Sequence, residues 1–266
     1  MKAYFLAVGT LGAVIFAIVI ASHSNSVMAF EGKQPVSTAQ FIDSLGVNTH
    51  INFTGPAFSS YENLDTVEKS LRYLGVPHVR DGNLNMTPTQ VARYAHVAQA
   101  TGVKFDFLIG SGGSLDMVPI QTDLHRFLDA APGSLSAVEG SNEINNLFQS
   151  KNWVVRYKGQ ATDMCAHQFG AVVAAQRDLM RMMKADARLK AIPLYNFSVV
   201  YLDIRGKVDG CHTNYEADIA NIAGIPDGSN AGSLADLANL HDYPFQGAPP
   251  RQSFKTLLGR QRVASA

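Results

Sequence analysis

Short apolar runs rich in β-branched residues alternate with longer helical patterns along most of this chain, and this alternation constrains the fold more than any other feature. A strand pattern followed by a helix pattern, repeated, is typical of βα units that build a parallel sheet. The strand patterns recur about every 30 residues, a spacing that fits one βα unit each. The six strand patterns cover residues 45–51, 77–80, 103–109, 135–139, 192–199 and 237–240.

Apolar residues at helical spacing predict helices between these strands. The first predicted helix carries its pattern over residues 67–74 and ends at Gly75. The second begins at Pro88 and ends at Gly102, because proline favours the first turn of a helix and glycine its C-terminal end. The other predicted helices lie around residues 124–128 and over residues 166–187, 215–222 and 253–263.

Two architectures accommodate six βα units in chain order. One is a (β/α)8 TIM barrel that is incomplete in this chain, since eight units typically take about 250 residues and six already use the sequence through Pro244. The other is an open, doubly wound sheet of six strands. The residues at the strand ends favour the barrel, and we expect an α/β fold of the incomplete (β/α)8 type.

The first 29 residues differ from the rest of the chain. Lys2 precedes an apolar run over residues 4–21, and Val27 and Ala29 supply the small residues of a cleavage site. This order is typical of a signal peptide. We therefore expect residues 1–29 to be a signal peptide and residues 30–266 to be a partial catalytic domain, secreted or periplasmic and not membrane-bound after cleavage. The alternative is an uncleaved anchor, because a run of about 18 apolar residues approaches the length that spans a bilayer.

Composition excludes several classes of function. The chain has 266 residues, with 22 Lys plus Arg against 22 Asp plus Glu, so no basic excess favours a nucleic-acid partner. The two cysteines are too few for a structural zinc site, and no sequence motif predicts a metal or a cofactor. Oligomeric state stays open.

Cys165 and Cys211 follow the fourth and fifth predicted strands, which places both in adjacent loops. Disulfides persist in exported proteins. We expect a disulfide between Cys165 and Cys211, and the alternative is two separate thiols.

Polar residues follow the carboxyl ends of the predicted strands, where the functional side chains of barrel enzymes gather. The first strand leads into His50, the second into Arg80, the fourth into Asn142 and Glu143, and the sixth into His241 and Tyr243.

This pattern resembles the retaining glycoside hydrolases with (β/α)8 barrels, the clan that includes cellulases, β-xylosidases and β-glucuronidases. The motif that carries the resemblance is Glu139-Gly140-Ser141-Asn142-Glu143 at the end of the fourth strand. By resemblance, Glu143 is the general acid/base and Asn142 binds the 2-hydroxyl group of the sugar.

The resemblance implies roles for other residues as well. Arg80 matches an arginine that steadies the nucleophile carboxylate, and His241 and Tyr243 match a His-x-Tyr motif whose tyrosine hydrogen-bonds that carboxylate. His50 corresponds to a residue that touches the sugar. The family's nucleophile is a Glu at the end of a seventh strand, and no residue of this sequence matches it. Glu139 points inward and deeper than Glu143, where we expect it to support Asn142 or the barrel floor.

The resemblance implies an O-glycosyl hydrolase that acts on a β-linked oligosaccharide or polysaccharide by retaining acid/base catalysis. That chemistry needs one protonated and one ionised carboxyl group about 5–5.5 Å apart. The alternative function is a non-catalytic, exported carbohydrate-binding or cell-wall-associated barrel protein. Trp153, in the long loop after the fourth strand, is either a sugar-stacking platform or a loop anchor.

Overall fold

The computed structural model describes residues 37–55, 59–82, 86–110, 112–146, 154–163, 165–201, 234–237 and 239–242. The chain divides after Gln40 into two units, and apart from residues 38–40 of the first helix the elements below belong to the second, Phe41–Ala266. The predictions for residues 1–29, 215–222 and 253–263, and those for Trp153, Cys211 and Tyr243, lie outside the described residues.

The predicted strands and helices that lie within the described residues occur in their predicted order, and the structure adds short helices and strands among them. The helices are α1 (Thr38–Asp43), α2 (Ser59–Glu62), α3 (Leu64–Leu74), α4 (Pro88–Thr101), α5 (Met117–Ala130) and α6 (Gly170–Ala185). The strands are β1 (Gly46–Asn48), β2 (His78–Asp81), β3 (Lys104–Leu108), β4 (Gly113–Ser114), β5 (Leu135–Glu139), β6 (Val155–Tyr157), β7 (Gln160–Ala161), β8 (Leu194–Tyr195), β9 (Val199–Tyr201) and β10 (Leu240–Asp242).

The main sheet is parallel and has five strands in the order β1-β2-β3-β5-β8. This order follows the chain without reversal, whereas a doubly wound sheet reverses its order at a switch point. The predicted α/β class with a parallel sheet is therefore confirmed, and the winding of this sheet differs from the doubly wound alternative. Asn48, Arg80 and Asp106 lie side by side across β1, β2 and β3.

The predicted strand over residues 192–199 is divided in the structure into β8 and β9. β9 pairs in parallel with β10, and Tyr195 of β8 forms a parallel bridge with Leu237. Between β8 and β9, the backbone N–H of Ser198 donates to the carbonyl of Ser141 instead of continuing the β8 ladder. The division brings residues 196–198 against the loop that follows β5.

One face of the main sheet is covered by α3, α4, α5 and α6, which contribute residues to a single hydrophobic core. Phe105 and Phe107 of β3 pack against Tyr94 of α4 and Phe127 of α5, with ring centroids 4.8–5.8 Å apart. Edge-to-face pairs of this kind add to the stabilisation that burial of the rings supplies. When the crossover connections between neighbouring parallel strands all have the same handedness, their helices lie on the same face of the sheet.

The other face of the sheet is polar. Because side chains alternate along a strand, Arg80, Asp106, Glu139 and Tyr195 share the face opposite to Phe105 and Phe107. We call these four residues the polar face.

The helix boundaries follow local capping chemistry. Thr87 caps α4: its Oγ1 accepts from the Gln90 N–H, and the Gln90 side chain accepts from the Thr87 N–H. The helix stops at Gly102, whose φ of 78° is left-handed, so both predicted ends of α4 are confirmed.

The predicted start of α6 at residue 166 is wrong by four residues. The Oδ1 atom of Asp163 accepts hydrogen bonds from the N–H groups of Cys165 and Ala166, and Asp163 also bridges to Gln168. This turn competes with helix formation, so α6 begins only at Gly170.

The long loop after β5 contains a hairpin of β6 and β7, and β6 also pairs with β4. Lys158 and Gly159 form its two-residue turn, both with positive φ, which matches the twist of the two strands. None of the helices within the described part of the chain is long and apolar enough to cross a bilayer.

Candidate functional site

Glu143 lies in the loop that follows β5, and its carboxylate is buried. The side-chain amide of Asn146 donates to Oε2 at 2.7 Å, and Nδ1 of His241 lies 2.9 Å from Oε1. His241 belongs to β10, so the ends of two strands that are about 100 residues apart in sequence meet at this carboxylate. Glu143 and His241, which the sequence places at two different strand ends, lie in contact in the structure.

The backbone holds Glu143 in an uncommon conformation. Its φ is 48°, in the left-handed region that residues other than glycine rarely adopt. Its N–H donates to Oγ of Ser198 at 2.8 Å, and its carbonyl accepts from the N–H of Asn146 at 2.9 Å. These bonds hold a backbone conformation that costs free energy, a situation that recurs at functional sites.

Gly140, just before this loop, lies where there is no room for a side chain. A Cβ atom there would overlap Oε1 of Gln176 and lie 2.6 Å from the backbone nitrogen of Phe197. The close approach lets the chain after β5 pack directly on the segment after β8.

Arg80 of β2 links β5 to the loop after it. Its Nε and Nη2 donate to the two carboxylate oxygens of Glu139 at 2.5 and 2.6 Å, and Nη2 also donates to Oδ1 of Asn142 at 2.8 Å. Glu139 is only 1% exposed. Glu139 is thus the carboxylate beside Arg80, and Arg80 links it to Asn142.

The pKa of the Arg80 guanidinium reflects two opposing effects. Burial, the largest single effect, lowers it, but the hydrogen bond and charge of Glu139 together with the charges of Asp106 and Glu143 raise the pKa of Arg80 overall. Arg80 therefore stays a cation throughout the pH range in which proteins are folded.

His241 joins the two carboxylates. Its Nε2 lies 3.8 Å from Oε1 of Glu139, while Nδ1 contacts Glu143. Together with Arg80 and Asn142 these residues form one connected set, which we call the carboxylate network and which comprises Arg80, Glu139, Asn142, Glu143 and His241.

Two residues that contact the network are not predicted from the sequence. Ser198 accepts from the Glu143 N–H and donates to Oδ1 of Asn142 at 3.3 Å, and Asn146 donates to the Glu143 carboxylate. Asn146 follows Glu143 by three residues in a polar stretch, which is a signal that a search for local side-chain contacts could use. Ser198 carries no comparable signal, because its position depends on the division between β8 and β9.

Asp106 is a third residue that the sequence reasoning missed. It lies next to Arg80 on the polar face, and its Oδ1 is buried without a hydrogen bond to any described residue. Burial, followed by the charge of Glu139, raises the pKa of Asp106 to about 7, although Arg80 acts in the opposite direction. The signal was present: Asp106 is the only acid in the apolar strand Lys104–Leu108.

His50 lies beyond the end of β1 and is exposed. Its ring stacks on Phe53 with centroids 4.7 Å apart. The neighbours on either side are fixed by Asp81, whose Oδ2 accepts from Oγ1 of Thr49 and from the N–H of Ile51. The structure thus presents His50 on a short loop held at both sides, with Phe53 as its ring partner.

Two predicted pairs of residues are only half described. Tyr243 lies outside the described residues, so the predicted His-x-Tyr motif is represented by His241 alone. Cys165 lies in an exposed turn, and because Cys211 is outside the described residues, the disulfide stays a prediction. Within the described ranges, no three His, Cys, Asp or Glu side chains form a group that could hold a metal ion.

The network can position a proton and a polar ligand. The buried carboxyl group of Glu143 is hydrogen-bonded to the imidazole of His241. The side-chain oxygen of Asn142 already accepts hydrogen bonds from Arg80 and Ser198. Neither a protein-family model nor a curated protein sequence matches this chain. The arrangement of these side chains is accordingly the basis of any functional assignment.

Proposed function

We propose that this chain is an exported carbohydrate-active protein of the (β/α)8 type that cleaves β-linked glycosides with Glu143 as general acid/base. One observation carries the proposal: the buried Glu143 carboxylate lies between His241 and Asn146, beside an Asn142 that Arg80 orients. A carboxyl group held in this way can give a proton to a leaving-group oxygen and take it back in a later step.

The order of the strands supports the barrel part of the proposal. A barrel needs strands that succeed one another around the sheet with all helices outside, and β1, β2, β3, β5 and β8 follow this order. A barrel also places the functional residues at the carboxyl ends of strands. Arg80, Glu143 and His241 all lie near such ends.

Asn142 suits the recognition of a sugar hydroxyl group. Its Oδ1 accepts hydrogen bonds from Arg80 and Ser198, and these two bonds fix the orientation of the amide group and therefore of its nitrogen. A side-chain amide that is fixed in this way donates to a hydroxyl oxygen at little further entropic cost. In the retaining mechanism, a contact with the 2-hydroxyl group strengthens in the transition state.

The second carboxylate of a retaining mechanism is not assigned to a described residue. Glu139 is close to the network, but it is almost completely buried and both its oxygens accept from Arg80. A nucleophile must reach the anomeric carbon directly. We therefore give Glu139 a supporting role, and the nucleophile is assigned to none of the described residues.

Initial rates on aryl β-glycosides test the proposed function. We expect Glu143→Gln to lower kcat/KM by about 10²–10⁴-fold on substrates with poor leaving groups, since these need the proton most. With a 2,4-dinitrophenyl leaving group, which departs without protonation, the loss should be much smaller. The matched control is Glu62→Gln, an exposed glutamate on α2 with an identical change of charge.

An equal loss for both leaving groups would contradict acid/base catalysis by Glu143. Turnover that is unchanged in Glu143→Gln would contradict any catalytic role of this residue.

The second candidate function is sugar binding without catalysis. The observation that favours it is that Arg80 donates to both carboxylate oxygens of Glu139. In the family that this chain resembles, the matching guanidinium steadies the nucleophile. This alternative predicts that the chain binds β-linked oligosaccharides without turnover, and that Glu143→Gln leaves their Kd unchanged. Calorimetric titration with cellobiose and xylobiose, beside the rate measurements, separates the two functions.

A further inference from the structure

The polar face carries one carboxyl group that the proposed mechanism does not use. Asp106 lies directly beside Arg80 in the register of β2 and β3, and Glu139 follows on the same face of the neighbouring β5. One oxygen of Asp106 is buried and makes no hydrogen bond to a described residue. When the carboxyl group is ionised, that buried oxygen carries negative charge without a hydrogen-bond donor from the described residues.

Arg80 is the arginine beside these two carboxyl groups, and Nε2 of His241 also lies 3.8 Å from Glu139. Its Nε and Nη2 are used by Glu139 and Asn142. Its Nη1 makes no hydrogen bond within the described part of the chain, so the guanidinium has a donor that could turn to Asp106. The guanidinium is a rigid planar group, so turning Nη1 toward Asp106 also moves Nη2, which Glu139 and Asn142 share.

We propose that Asp106 is a positioning residue. When Asp106 is protonated, Arg80 keeps its contacts with Glu139 and Asn142. When Asp106 loses its proton to solvent, it draws Arg80 away from Asn142. Protonated Asp106 is neutral and attracts the guanidinium only weakly, so the contact between Arg80 and Asn142 persists. Ionised Asp106 competes for the same cation. Asn142 then loses the donor that orients its amide.

The surroundings of Asp106 set the direction of this effect. Arg80 faces it from β2, Glu139 from β5 and Tyr195 from β8, while Lys104 lies two residues earlier on β3. Burial and Glu139 favour the protonated form, and Arg80 favours the ionised form. The pKa of about 7 places the change near neutral pH. The charge of Asp106 in turn contributes, after burial, to the raised pKa of Tyr195.

The side-chain amide of Asn142 reports this change without any ligand. We expect the ¹⁵N and ¹H shifts of this amide, assigned by their loss in Asn142→Asp, to titrate with an inflection near pH 7 in the unaltered chain. In Asp106→Asn the inflection should disappear and the shifts should stay at their low-pH values. Asp178→Asn removes a carboxylate on α6 that contacts Tyr157 and Lys158, and this control should keep the inflection.

His241 contacts both carboxylates of the network, so a second variant separates its effect from that of Asp106. We expect the Asn142 inflection to persist in His241→Gln. The proposal is overturned if the unaltered chain shows no inflection, if Asp106→Asn retains it, or if His241→Gln abolishes it.

The consequence for ligand binding rests on the proposed function. If that function is correct, the affinity for cellobiose falls above pH 7 in the unaltered chain, and it falls much less in Asp106→Asn. A chain that binds no cellobiose at any pH, but whose Asn142 amide titrates through Asp106, would contradict the proposed function and leave the role of Asp106 intact.

Discussion

At the scale of single residues, the site depends on positions where the backbone has no freedom to vary. Glu143 keeps a left-handed φ, and Gly140 lies where no side chain fits. Both positions belong to the five-residue motif that the sequence analysis singled out. A motif of this kind therefore encodes backbone geometry as well as the identities of its acidic residues.

Replacing Gly140 with alanine tests the packing at this turn. The added Cβ would overlap Gln176, whose amide donates to the carbonyls of Tyr195 and Leu234, so it would force apart segments that close the site. We expect Gly140→Ala to lower the free energy of unfolding by about 1–3 kcal/mol, measured by urea denaturation.

Gly170 supplies the control for this substitution. A Cβ at Gly170, the first residue of α6, meets nothing closer than 3.6 Å, and alanine is the better helix former. We expect Gly170→Ala to be neutral or slightly stabilising. Equal destabilisation by the two substitutions would contradict a specific lack of space at Gly140.

Individual site residues were predictable where a strand end and a polar side chain coincide. Arg80, Asn142, Glu143 and His241 follow this rule, and the structure brings all four together. The partners of these residues were harder to predict because they depend on tertiary register. Nothing in the local sequence shows that Glu139, rather than a distant acid, would receive the guanidinium of Arg80.

At the scale of elements, agreement is best where capping residues mark both ends of a helix. α4 begins at Pro88 and ends before Gly102, as the sequence predicts. The ends of α6 and the division of β8 from β9 were not predictable from periodicity. Both result from hydrogen bonds made by loops, and such bonds leave no periodic trace in the sequence.

The cap of α4 gives a test at this scale. Thr87→Ala removes the hydroxyl that accepts from the Gln90 N–H, and one donor of the first turn loses its partner. We expect the free energy of unfolding to fall by about 1 kcal/mol in urea denaturation. Thr87→Ser keeps the hydroxyl and should retain most of the stability, so a serine variant as unstable as the alanine variant would show that the cap is not the cause.

At the scale of the whole molecule, the predicted succession of βα units is confirmed through β8, and β10 follows beside β9. The pattern of short strands and longer helices was sufficient for this level of description, because each helix covers the strands next to it. The closure of a barrel is a different matter. It depends on strand tilt and stagger, which hydrophobic periodicity does not encode.

The predicted disulfide between Cys165 and Cys211 would constrain the molecule on this larger scale. It would close a loop of about 45 residues and stabilise the fold by about 4 kcal/mol, if the loss of entropy in the unfolded chain dominates. We expect air-oxidised protein, unfolded and alkylated without reductant, to gain no mass, and to gain two alkyl groups after reduction. Two alkyl groups without reductant would contradict the pairing.

The order of the strands also bears on how the protein is made. Each strand of the main sheet lies beside the one synthesised just before it, apart from the short strands of the loop hairpin. A nascent chain can therefore add one βα unit after another to this part of the sheet, whereas closure of the proposed barrel would require β1 to wait for the last strand. Arg80 is an exception, because its ionic partner Glu139 emerges 59 residues later. This ion pair therefore cannot form until the chain has been synthesised through β5.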